Sequence, residues 1–246
     1  MNYENYAKGI SFRIMQPDSP LRSTTRISWL TSIERGYHFD LNNTILPDHH
    51  EEMKIRLAPI LGIPRMSTFA VAALINEGVS RMKEGDAFVN VGVWHGFTFL
   101  AGMADNPGKI CVGVDNFSEF HDGFFIDPKP PFLGRFEKFK SPNHSFHEMD
   151  YKDYFAKIHK GPIGFYVYDG EHSYDNQLNG LKVAEPFFSG DCVILVDDTN
   201  LEEPRRATFD FISGSRNKYK ILLDAPTAGR SHPTFWNGVI LFQRVS

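Results

Sequence analysis

The sequence is poor in cysteine, carries no basic excess and contains no long apolar run, and each shortage removes a class of protein. Only two cysteines occur in 246 residues, Cys111 and Cys192, both inside apolar runs. No disulfide framework is expected, and the thiols read as small core residues in a reducing compartment. Lys and Arg number 26 against 30 Asp and Glu, a formal net charge of -4. That balance supplies no basic field for nucleic acid or for an anionic membrane surface. No uninterrupted apolar stretch approaches the roughly 20 residues that a membrane helix needs, and the opening MNYENYAKGI lacks the apolar region of a secretory signal. The expectation is a cytoplasmic protein with neither nucleic acid nor membrane as partner. What the chain does have in surplus is phenylalanine, 22 residues, several of them in a stretch broken by Pro and Gly rather than in periodic segments.

Two regions differ in pattern. Residues 1–62 are mixed and polar, interrupted by Pro17, Pro20 and Pro47, and read as an appendage of short helices and loops. Within it, His49-His50-Glu51-Glu52 reads as a solvated helix start after Pro47-Asp48 rather than a metal site, because adjacent helical residues point in different directions. Residues 63–246 form the second unit. Val71, Leu74, Ile75, Val79 and Met82 fall at helical spacing, with Ser67 or Thr68 placed to cap the first turn. Short β-rich runs follow at 87–91, 110–114, 144–149, 163–168 and 192–196, alternating with helical or loop segments. Runs such as Cys192-Val193-Ile194-Leu195-Val196 are apolar without alternation, as expected of strands covered on both faces in a parallel sheet wrapped by helices. Two last runs, 219–223 and 238–242, are joined by a loop holding Pro226, Gly229 and Pro233, with no crossover helix. They should pair antiparallel. The fold class is therefore α/β: a Rossmann-like, seven-stranded, mostly parallel sheet with an antiparallel last strand pair and helices on both faces.

The first strand runs into Asn90-Val91-Gly92-Val93-Trp94-His95-Gly96-Phe97-Thr98. In open α/β sheets, ligands sit at the carboxyl ends of strands. Gly92 would let the backbone approach a ligand and Gly96 would let the next helix pack closely. The G-x-x-x-G spacing differs from the G-x-G-x-x-G of dinucleotide sites. The next strand ends in Asp115, a carboxylate able to accept from ribose hydroxyls. Together they suggest a nucleoside-containing cofactor. Asp150, after the third run, fits either beside an adenine or as a helix cap. Two further strands end in Asp169-Gly170-Glu171-His172-Ser173-Tyr174 and in Asp197-Asp198. Right-handed crossovers set these ends side by side. Three carboxylates in a small space repel unless a cation offsets them, and oxygen-only ligation suits Mg²⁺, Mn²⁺ or Ca²⁺. Consecutive strand residues face opposite ways, so Asp197 and Asp198 can serve one ion only if Asp198 already lies in the turn. His172 suits a general base; equally, it could cap the following helix or orient Asp169.

This order of motifs resembles the class I S-adenosylmethionine-dependent methyltransferases over roughly residues 67–245. The specific resemblance is to metal-dependent O-methyltransferases that act on sugar hydroxyls of macrolide and aminocoumarin natural products. It is carried by a strand ending in Asp169-Gly170-x-x-x-Tyr174, by Asp197-Asp198 28 and 29 residues beyond Asp169, and by Gly92-x-Trp94-x-Gly96. The resemblance implies S-adenosylmethionine with its methionine part at the Gly92–Gly96 turn and its ribose at Asp115. It implies Mg²⁺ held by Asp169, Asp197 and Asp198, with His172 as base. That family usually has a carboxylate two residues before the first glycine, where this chain has Asn90, which accepts without charge attraction. The family's N-terminal region often forms a lid or an oligomer contact, so a homo-oligomer stays open.

The expected reaction is methyl transfer to a small-molecule hydroxyl, with His172 or Asp169 taking the proton. The segment from Phe117 to Phe132 reads as an aromatic lid over the acceptor or as a loop tucked onto the core, and is too broken for a long helix. Two other functions stay open. Asp169-Gly170-Glu171 loosely resembles the D-x-D of nucleotide-sugar glycosyltransferases, and Asn90 suits a non-catalytic cofactor-binding module.

Overall fold

The computed structural model describes residues 1–12, 40–42, 44–118, 127–226 and 238–245. The chain opens with helix α1 (Tyr3–Gly9), a two-stranded ribbon of β1 (Ser11–Phe12) and β2 (Thr44–Ile45), and helices α2 (His50–Leu57) and α3 (Phe69–Ser80). As expected, His49 and His50 begin a helix, α2, and His50 Nδ1 accepts from the Leu46 amide at 3.1 Å. At α3 the structure chooses between the two candidate caps: Thr68 Oγ1 accepts from the Val71 amide at 3.1 Å.

The main body continues as β3 (Ala87–Val91), α4 (Phe97–Met103), β4 (Ile110–Asp115), α5 (Lys129–Phe139), β5 (His144–Glu148), α6 (Tyr151–Lys157), β6 (Ile163–Tyr168), α7 (Tyr174–Ala184), β7 (Phe188–Asp197), α8 (Glu202–Gly214), β8 (Lys218–Ala225) and β9 (Val239–Val245). Seven strands form one sheet in the order β5-β4-β3-β6-β7-β9-β8. β5, β4, β3, β6 and β7 pair parallel, while β9 is antiparallel to both β7 and β8. The last hairpin therefore folds back so that β9, and not β8, lies beside β7. Of its connecting loop, Gly229 and Pro233 lie outside the described residues.

Alternation along the strands separates two cores. Phe88, Phe165, Leu195 and Leu241 point to one side, and Val89, Tyr166, Ile194 and Ile240 to the other. All eight are fully buried, each contributing roughly 2–3 kcal/mol of transfer free energy. Glycine allows the helices to come close: a Cβ on Gly102 of α4 would stand 2.2 Å from the Phe88 ring, and one on Gly180 of α7 2.0 Å from the Tyr168 ring. Tyr6, Ala7, Met53, Leu57 and Ile60 from the N-terminal region belong to the same cluster as Phe165. The described part of residues 1–62 is thus packed on the sheet, with Tyr3 donating its hydroxyl to the Leu74 carbonyl at 2.9 Å. Both cysteines are buried and unpaired, and burial pushes the Cys111 thiol up to about 12.

Candidate active site

The parallel register sets the carboxyl ends of four strands level. Val91 pairs with Val114 on one side and Tyr168 on the other, and Tyr168 pairs with Val196. The residues that follow, Gly92, Asp115, Asp169 and Asp197, open onto one cavity of about 300 Å³, the lower end of the range usual for small-molecule and cofactor sites.

On the β3 side, Gly92 has φ +80° and donates its amide to Val114 O at 2.9 Å. A Cβ there would lie 1.9 Å from the Asp169 carbonyl oxygen. The space spared by this glycine is therefore filled by the end of β6, although Gly92 also borders the cavity. At Gly96, φ +95°, the spared space goes to the Phe132 ring of α5, 2.7 Å from the would-be Cβ. Between them Trp94 takes a left-handed conformation, φ +48°, which costs a non-glycine residue about 1 kcal/mol. Asp115 holds this turn: its Oδ2 accepts from the Val93 and Trp94 amides at 2.7 and 2.9 Å, and its Oδ1 from the Phe117 amide at 2.7 Å. A carboxylate has about four acceptor positions, so capacity remains for a ligand hydroxyl.

On the β6 and β7 side, Asp197 closes its strand at 3% exposure and Asp198 turns out of it with φ +55°. The condition set by strand alternation is met, since Asp198 lies in the turn. His172 Nε2 stands 3.1 Å from Asp198 Oδ2, and His172 Nδ1 is buried without a hydrogen-bond partner. The helix start beside it is capped by Ser173, not by His172. Glu171 serves the loop itself. Burial raises its carboxyl, but hydrogen bonds from Ser173 and Asn176 outweigh this and hold it below the usual range. Asp169, Asp197 and Asp198 all border the cavity, and oxygen-only donors suit a hard cation. Among the described residues, however, no group of three or more His, Cys, Asp or Glu side chains stands gathered as metal ligands.

Of the expected cofactor residues, Gly92, Trp94, Thr98, Asp115 and Asp150 line the cavity, while Asn90 and Gly96 stand behind its wall. Asp150 is a helix cap as well, its Oδ1 accepting from the Lys152 amide at 2.7 Å. Asn90 is fully buried: its Nδ2 donates to Gly92 O at 2.7 Å and its Oδ1 has no partner. The aromatic surplus is mostly core. Phe132 and Phe136 of α5 are buried against Phe99 and Phe146, with the Phe132 and Phe146 rings 4.8 Å apart. Helix α5 starts at Lys129 despite Pro130 and Pro131, because the first helical turn has no use for their missing N–H. Phe117 lines the cavity; Phe120, Phe124 and Phe125 lie outside the described residues. Arg65, Ser67 and Asn176 also line the cavity. Sequence reading missed them as site residues; the one available signal was a second hydroxyl beside the capping Thr68.

Residues 89–199 match a family described as a methyltransferase domain. Solved structures share the fold. O-methyltransferase TomG from Streptomyces achromogenes, in complex with S-adenosylmethionine, aligns with a TM-score of 0.56 at 12% identity over 87% of this chain and 99% of its own. The O-methyltransferase from Bacillus cereus in complex with S-adenosylhomocysteine aligns at 0.54 and 15% over 79% and 89%. Cofactor-bound Rv0187 from MTB aligns at 0.55 and 12% over 78% and 88%. No curated protein sequence matches the chain. Residues 89–199 thus carry a methyltransferase-domain match, and the solved structures share the Rossmann-like fold that surrounds it.

Proposed function

We propose that this chain transfers the methyl group of S-adenosylmethionine to a hydroxyl of a small molecule, such as a sugar or another natural product. What carries the reading is the meeting of the Gly92 turn, Asp115 and the Asp169, Asp197, Asp198 and His172 group at one cavity. The sulfonium methyl bound at the turn would face the carboxylates and the imidazole. Asp115 would receive the ribose and Asp150 the adenine end. With Asp198 opposite Nε2, the imidazole keeps its proton on that atom, and the buried Nδ1 lone pair is left to take the hydroxyl proton. Asp198 thus orients the base as the third group of a triad does. A divalent cation at Asp169, Asp197 and Asp198 would lower the pKa of the acceptor hydroxyl and fix its direction. The remaining rate enhancement comes from holding acceptor and cofactor in line.

The test is incubation with S-adenosylmethionine, Mg²⁺ and a panel of sugar-bearing and phenolic acceptors, followed by mass spectrometry. Gain of one methyl on oxygen, reduced by a chelator and restored by Mg²⁺, is expected. Methylation confined to nitrogen or carbon would refute the O-methyl reading. Binding of S-adenosylhomocysteine without transfer to any acceptor would favour the non-catalytic module.

A further inference from the structure

We propose that Arg65 and Ser67 form the seat for the α-carboxylate of the cofactor's methionine half, an assignment that rests on the methyl-transfer reading above. Three observations lead there. The first is charge. The cavity is bordered by Asp115, Asp150, Asp169, Glu171, Asp197 and Asp198, and among its described lining residues Arg65 is the sole Lys or Arg. The ammonium and sulfonium of the cofactor can be met by those carboxylates. Its own carboxylate can be met only by donors, and leaving it desolvated among like charges is costly.

The second observation is an unused hydroxyl. Ser67 is 4% exposed, borders the cavity, and its Oγ has no hydrogen-bond partner. The neighbouring Thr68 performs the cap of α3, so Ser67 is not consumed by the helix. A buried hydroxyl without a partner is a standing cost that a ligand acceptor removes. The third is position. The Arg65 guanidinium lies 4.6 Å above the ring of Phe97, the first residue of α4 and the immediate continuation of the Gly92–Gly96 turn. Arg65 is 2% exposed, its Nη1 donates to the Leu61 carbonyl, and its Nη2 stands 3.5 Å from Asp40 Oδ2. Asp40 in turn accepts from the Phe69 amide at 2.7 Å. The guanidinium is thereby fixed over Phe97, next to the turn that the methionine half would occupy, and little side-chain entropy is left to lose on binding.

The experiment is calorimetric titration of the full chain with S-adenosylmethionine and with decarboxylated S-adenosylmethionine, which differ only in the carboxylate. The parent should bind the intact cofactor at least about tenfold more tightly, the usual strength of hydrogen bonds to a charged group. Ser67→Ala, which removes one oxygen and no packing atom of size, should lose about tenfold for S-adenosylmethionine and leave the decarboxylated ligand unchanged. Arg65→Lys should narrow the ratio in the same way, with thermal melting used to verify folding. If Ser67→Ala keeps the parental preference, or weakens both ligands equally, the seat is elsewhere. A parent that binds neither ligand would overturn the methyl-transfer reading itself.

Discussion

His172 Nε2 lies 3.1 Å from Asp198 Oδ2, joining the loop after β6 to the turn after β7. The contact links the proposed base to a carboxylate on a different strand, so the two should behave as a unit. His172→Ala is expected to lower kcat by about 10²–10⁴, the usual range for general acid–base catalysis, with the Kd for S-adenosylmethionine changed less than about threefold. Asp198→Asn should cost a similar amount, and the double variant little more, because residues acting together are not additive. Fully additive losses in steady-state kinetics would separate the two roles.

Gly92→Ala should destabilise the protein by about 2–5 kcal/mol, combining left-handed strain with overpacking against the Asp169 carbonyl. Gly190→Ala is the control, since a Cβ there meets nothing within 4 Å, and should fall within about 0.5 kcal/mol of the parent. Urea unfolding of both variants compares them directly. Equal midpoints for the two would mean that β3 and β6 need not approach so closely.

His95 should make the protein acid-sensitive. Burial first and Arg135 second pull its imidazole down to about 4, against a slight upward pull from Asp127. The unfolded chain takes up this proton near pH 6.5 and the folded one only near 4. The stabilisation is therefore complete above about pH 6.5 and is lost as the pH falls toward 4. Allowing for the solvent that reaches the ring, the span is about 1–2 kcal/mol. His95→Gln should flatten the fall in unfolding free energy between these values by that amount. An unchanged slope would assign the acid sensitivity to other groups.

Much of this protein was legible without coordinates, for a local reason. A strand covered on both faces must be apolar along its length, so the runs ending at Val91, Val114, Tyr168 and Val196 announced a parallel sheet, and the polar residues directly after them marked its carboxyl edge. Gly92, Asp115, Asp169, Asp197 and Asp198 could be placed at strand ends by position alone, since the end of a strand is a feature of neighbouring residues, and all five border the cavity. Which of Ser67 and Thr68 caps α3 was not legible, because both stand at the right spacing. Tertiary structure gave the cap to Thr68 and left Ser67, a residue of the cavity wall, with its buried Oγ unpartnered. Packing likewise turned the phenylalanines of α5 into core, committed most of the Asp115 carboxylate to its own turn, and swung Asp198 into a left-handed conformation opposite His172. Sequence alone determined where the strands end and which chemistry stands at their ends, because both follow from short-range pattern. Only the tertiary structure decided which of those groups meet, because side chains on separate strands are brought into contact by the register and closeness of the sheet.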